Sequence, residues 1–242
     1  MKKALLTLMA LAVAFQAWPQ DENLSPAASV KSAATGQLTI VPKLGVNYST
    51  TSIDTWPGKS SGFDKPDISG VAGVVAGVEA EYAAGPRLGV SAALLYSMQG
   101  RKYDDVSSQE RAVKAGLRST AKDAVVSTEH HHYINLPLTA NYYVMERLAV
   151  RAGLQVGCLF HQSGTLELPY DDTPKHSING SPAKFDISIP VGVSYTLDCG
   201  VQVDLRYIHG LNKLSWSDGV REERNRVVQL TVGYRLKKIK LF

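Results

Sequence analysis

The chain has 242 residues, 44% of them hydrophobic and 20% charged, with a formal net charge of +4 that falls to +2 without Lys2 and Lys3. So small a balance leaves no footprint for nucleic acid. Beyond the N-terminus no run is long and apolar enough for a transmembrane helix, so only a closed β-barrel could carry this chain across a membrane.

Met1-Lys2-Lys3 is a short basic head, Ala4 to Ala14 an apolar core, and Ala12, Ala14 and Ala17 offer small residues for cleavage. This is the pattern of a secretory signal. The apolar run falls well short of the ~20 residues a spanning helix needs. The expectation is a cleavable signal peptide over 1–20, a short periplasmic segment over 21–36 and a barrel over 37–242.

From Gln37 onward the chain alternates apolar and polar residues with a period of two, which in a strand puts the two kinds on opposite faces. The first strand, Gln37 to Thr50, sets Leu38, Ile40, Leu44, Val46 and Tyr48 against Thr39, Lys43, Gly45 and Asn47. A polar loop to Ser69 leads into a second strand, Gly70 to Ala83, and Ala84-Gly85-Pro86 turns it tightly into a third, Arg87 to Tyr103. Asp104 to Thr128 reads as a solvated loop in which Ser107 and Glu110 form a weak capping box that can start a short helix. The fourth strand, Glu129 to Val144, turns at Met145-Glu146-Arg147 into a fifth, Arg147 to Gln162. Pro169, Pro174 and Pro182 keep the next segment, Ser163 to Ala183, out of any central sheet. The sixth strand, Asp186 to Leu197, alternates most regularly, with Ile187, Ile189, Val191, Val193, Tyr195 and Leu197 on its apolar face. Asp198-Cys199-Gly200 turns it into a seventh, Val201 to Leu214, and a charged loop from Ser215 to Glu223 precedes a last strand carrying Val228, Leu230, Val232, Tyr234 and Leu236 on one face.

The expected fold is therefore all-β, an eight-stranded antiparallel up-and-down transmembrane barrel. Long loops alternate with short turns, and bacterial outer-membrane barrels keep their short turns in the periplasm. Both termini are thus expected on the periplasmic side of the bacterial outer membrane. Water-soluble barrels bury apolar side chains inside. Here the inward faces instead collect Lys43, Glu79, Glu81, Arg151, Asp186, Asp204, Arg206 and Arg235.

Six segments in strand order carry a family resemblance: Gly45-Val46-Asn47, YSMQGRKY from Tyr96 to Tyr103, YINLPLTANYY from Tyr133 to Tyr143, AGLQVGCLF from Ala152 to Phe160, VDLRYIHGLNKL from Val203 to Leu214, and VVQLTVGYRL from Val227 to Leu236. Together they resemble the small outer-membrane barrels of Bacteroidetes, the PorT-like or outer membrane protein beta-barrel domain family. The resemblance implies a monomeric eight-stranded barrel, in one branch associated with protein secretion. Where such chains commonly stop at an aromatic soon after the Gly-Tyr-Arg step, Lys237 to Phe242 is appended here. Its three lysines are expected to take the tail out of the bilayer, while terminal Phe242 resembles a signal for the barrel assembly machinery.

Among candidate sites, the lumen charges Lys43, Glu79, Glu81, Arg151, Asp204, Arg206 and Arg235 come first. An eight-stranded barrel is just wide enough for side chains to fill it, and buried charges persist only when paired, so they read as a plug of salt bridges. The alternative is a selective ion path, which makes the barrel a narrow pore. His130-His131-His132 offers imidazoles, but His130 and His132 share a face opposite His131, so two at most could share an ion, and surface histidines without a metal role are the simpler reading. His161 and His209 lie near the loop-side rim, and Ser215 and Ser217 follow His209, yet no nucleophile elbow or acidic partner marks a lipid-modifying enzyme. Tyr48, Tyr96, Tyr142, Trp216 and Tyr234 fit an interfacial belt. Cys158 and Cys199 sit at different heights and are expected to be free thiols. No cofactor, metal or catalytic residue is assigned. The leading function is a non-enzymatic barrel that presents four extracellular loops to an extracellular or envelope partner and contacts outer-membrane lipids. A lipid-modifying enzyme or a narrow pore is the alternative.

Overall fold

A computed structural model describes residues 36–55, 67–114, 116, 126–167, 176–180, 184–212, 222–236 and 239–240. The expected signal peptide, nearly all of the N-terminal segment, Ser215, Trp216, Ser217, the three loop prolines and Phe242 lie outside the described residues. Eight long strands form the wall: β1 (Gln37–Thr55), β2 (Asp67–Ala83), β3 (Leu88–Asp104), β4 (Val126–Tyr143), β5 (Leu148–Glu167), β7 (Lys184–Thr196), β8 (Val201–Gly210) and β9 (Glu222–Tyr234), with a short β6 (His176–Gly180) between β5 and β7. Each is antiparallel to its neighbour, and β9 returns to pair with β1 from Lys43↔Gly233 to Thr55↔Glu222, which closes the ring. Closure removes the free edges that an open sheet would leave unpaired in lipid.

Side-chain burial follows the period of two but inverts the order of a water-soluble protein. On the outside, Leu138 and Leu154 are 53% and 57% exposed, while inside, Asn141 and Arg151 are 1% and 2% exposed. An apolar outer wall over a polar, filled interior is stable only where hydrocarbon surrounds it. The connections also alternate. Ala84 to Arg87, Val144 to Arg147 and Leu197 to Gly200 close one end, and the longer segments leave from the other. In the last of these turns Gly200 adopts a φ of +85°, a left-handed conformation that glycine takes without strain. Arg147 lies in its turn rather than in a strand, where its guanidinium pairs with Asp198.

Several inward positions are glycine because the backbones approach closely. A Cβ on Gly153 would lie 1.9 Å from the Leu138 carbonyl oxygen, and one on Gly45 would lie 2.0 Å from that of Leu230. Gly153→Ala is expected to destabilise the folded barrel by about 1–3 kcal/mol through overpacking. Gly85→Ala, whose new Cβ would have only the Leu88 Cβ at 4.0 Å, should leave the urea midpoint in lipid vesicles unchanged. Equal midpoints for the two variants would contradict the close packing of β4 on β5.

The structure departs from the sequence reading at the loop end. β5 continues to Glu167 and pairs with β6 from Gln162↔Gly180 to Leu166↔His176, so part of the segment expected to be irregular is a hairpin standing above the ring. Helix α1 (Val106–Lys114) forms between β3 and β4, but Ser107 does not cap it. The Asp104 carboxylate accepts the Val106 amide at 3.1 Å, and the Ser107 hydroxyl donates to Asp67 instead. At the other end Ile239–Lys240 forms a two-residue strand, β10, against Leu38 and Gln37. It gives the start of β1 a backbone partner beyond the reach of β9.

Candidate functional site

The inward register brings five charges from four strands to one level of the lumen. Lys43 comes from β1, Glu79 from β2, Arg151 from β5, and Asp204 and Arg206 from β8. Lys43 Nζ lies 2.9 Å from Glu79 Oε2 and 3.1 Å from Asp204 Oδ2. Arg151 donates from Nη2 to Glu79 Oε1 at 2.6 Å and from Nη1 to Asp204. Arg206 reaches Glu79 Oε2 at 2.7 Å and Asp204 Oδ1 at 2.6 Å. Each carboxylate thus meets three cations, and all five side chains are almost fully buried.

Room for the long side chains comes from glycines beside them. Lys43 is paired with Gly77 on one side and Gly233 on the other, and Arg206 with Gly192. A Cβ at Gly233 would come within 2.9 Å of Lys43 Cγ, and one at Gly192 within 3.0 Å of Arg206 Cγ. Two further donors on Arg151 are also satisfied, by Asn141 Oδ1 at 2.8 Å and Ser91 Oγ at 2.6 Å. Such saturation matters because removing an ion from water costs several kcal/mol, which only multiple, well-directed partners offset. Nearer the turn end, Arg235 lies 3.3 Å from Glu81, which also accepts the Tyr143 hydroxyl.

A second charged layer, not singled out from the sequence, lies at the loop end. Glu129 meets Arg101 Nε at 3.2 Å and His131 Nε2 at 3.3 Å, and accepts the Ser127 hydroxyl. Between the layers the lumen holds polar groups, among them Asn47 donating to Ser97 at 2.9 Å, together with Gln155, Gln229 and the buried carboxyl group of Asp186. Asp186 is inward as expected but joins neither layer of ion pairs.

Of the three consecutive histidines, His131 is buried inside and His132 lies on the outer wall, where its ring centre is 5.2 Å from that of His161. Among the described residues no three His, Cys, Asp or Glu side chains gather closely enough to hold a metal ion. His209 packs near Tyr207, with ring centres 6.2 Å apart. Tyr48, Tyr142 and Tyr234 stand exposed on the outer wall, while Tyr96 is half-buried. Cys158 and Cys199 are both free.

The chain is similar to Ail, the attachment invasion locus protein of Yersinia pestis, at 13% identity over 84% of this chain and 99% of that one, with a TM-score of 0.43. It is likewise similar to neisserial surface protein A, at 11% identity over 81% and 97% with a TM-score of 0.46. Outer membrane protein OprG of Pseudomonas aeruginosa resembles it at 10% identity over 86% and 99%, with a TM-score of 0.41. A search of curated proteins finds no match. The sequence profile described as outer membrane protein beta-barrel domain matches residues 20–215, most of the chain. The eight-stranded ring with its lipid-facing wall is accordingly a barrel of the bacterial outer membrane, and the chain belongs to the outer membrane protein beta-barrel domain family.

Proposed function

We propose that this protein is a non-enzymatic, PorT-like barrel of the kind found in Bacteroidetes, with a lumen closed by ion pairs and four extracellular loops that meet an extracellular or envelope partner. The observation that carries this reading is the layer of Lys43, Glu79, Arg151, Asp204 and Arg206, whose contacts bridge β1, β2, β5 and β8 across the lumen. A barrel filled at that level has no aqueous route, and what remains for recognition is the loop end. In this reading the barrel is a monomer, both termini are periplasmic, and Phe242 is presented to the barrel assembly machinery.

Orientation is tested with the native thiols. Cys199 is exposed in a short turn, so in intact cells it should resist a bulky polyethylene-glycol maleimide that cannot cross the outer membrane. A cysteine placed at Asp171, in a Cys158→Ser background, should be labelled. Labelling of Cys199 in intact cells would invert the topology. Photo-crosslinking from Asp171 and from the turn residue Glu146 then tests the partner. The proposal expects a discrete adduct from Asp171 and none from Glu146. An altered lipid A or phospholipid profile in a deletion strain, restored by the intact gene, would favour the lipid-modifying enzyme instead.

A further inference from the structure

We propose that His132 and His161 form a two-histidine chelate for a divalent first-row transition-metal ion, on the outer wall of the barrel at the loop-side membrane interface. Strict alternation after the inward Leu159 would put His161 inside. Instead Tyr133 pairs with Leu159 and His132 with His161, which leaves Phe160 as the extra residue of a β-bulge and sets His161 across from His132. Bulges re-aim side chains in this way.

The two ring centres are 5.2 Å apart with planes inclined at 44°. Two imidazoles that share one tetrahedral ion at metal–nitrogen distances of about 2.0–2.1 Å have ring centres roughly 5 Å apart. His132 Nδ1 is 2.8 Å from the Tyr96 hydroxyl. With the proton on Nδ1 donated to Tyr96 Oη, the Nε2 lone pair is free for the metal, and the outer partner holds the ring as such partners commonly do. Phe160 packs beside both Tyr96 and His132, with ring centres 6.4 and 6.2 Å away.

Height along the wall supplies the rest of the ligand set. Met98, which pairs with His132, lies ten residues beyond Leu88 at the turn end of β3. About 9–11 tilted residues cross the hydrocarbon, so the pair stands at the headgroup layer. Water or phosphate oxygens there complete the coordination, and imidazole ligands suit zinc, copper or nickel.

The test is calorimetric titration of tag-free protein, folded in a maltoside detergent, with zinc at a pH above the histidine range. The parent should bind one equivalent. His132→Asn and His161→Asn should each weaken binding at least tenfold, and the double variant should fall no further than either single, because a chelate is lost with its first arm. His209→Asn should bind as the parent does, and heat-modifiable migration verifies that each variant is folded. Absence of zinc binding by the parent, unchanged affinity in either single variant, or losses that add in the double variant would each overturn the chelate.

Discussion

Asp204→Ala is expected to destabilise the folded barrel by about 3–5 kcal/mol, the cost of stripping a buried charge of its partner. Asp204 is the shared acceptor of Lys43, Arg151 and Arg206, so its loss leaves three buried cations around the single carboxylate of Glu79. The other donors cannot turn to water, because the layer is enclosed by the wall and by Asn141 and Ser91. Asp198→Ala removes a carboxylate too, but from an exposed turn pair with Arg147, where solvent screens the interaction, and it should leave the unfolding midpoint essentially unmoved. Urea unfolding in lipid vesicles, followed by tryptophan fluorescence and heat-modifiable migration, compares the two. Equal losses at Asp204 and Asp198 would mean that the ion-paired layer does not hold the interior together.

The second large effect is set by lipid rather than by the lumen. Leu154 projects from the middle of β5 and is 57% exposed on the outer wall. Leu154→Arg should cost about 2–4 kcal/mol, as cationic side chains do at the bilayer midplane, whereas Leu148→Arg at the turn-end margin of the same strand should cost about 0–1 kcal/mol. The contrast isolates depth, since both residues occupy the outward register of one strand. Folding yield and urea midpoint in vesicles of fixed chain length report it. Indistinguishable losses at the two positions would place the membrane away from the band inferred from the outward leucines and valines.

The wall was legible because lipid imposes a simple rule on it. A residue such as Leu138 or Leu154 has only hydrocarbon to meet, so its apolarity reads directly in the sequence. The charged layer was legible for a related reason: Lys43, Glu79, Arg151, Asp204 and Arg206 fall on the polar register, and pairing is the only stable state for buried ions. The interior was less legible where packing decides. Val41, Val75, Leu95 and Leu159 are buried inside, contrary to a purely polar lumen; Val41 and Leu95 fill space beside the inward glycines Gly233 and Gly77, whose need for close approach depends on neighbouring strands. The Arg101–Glu129–His131 group was missed although all three residues fall within the expected third and fourth strands, because its contacts depend on the β3–β4 register, which sets Arg101 opposite Glu129. The placement of His161 could not be read from alternation at all, since the bulge at Phe160 is a property of the β4–β5 pairing. At α1, a serine and a glutamate at capping spacing lost to the carboxylate of Asp104, which reaches the first helical amide.

Whether the ion-paired layer closes the lumen is measured most directly by conductance. Purified protein inserted in planar bilayers should show no steady open level at any moderate voltage. Asp204→Ala, which loosens the layer, should at most admit brief, irregular openings. A stable single-channel conductance in the parent protein, unchanged when Glu79 or Asp204 is replaced, would contradict the closed lumen and make the protein a narrow pore.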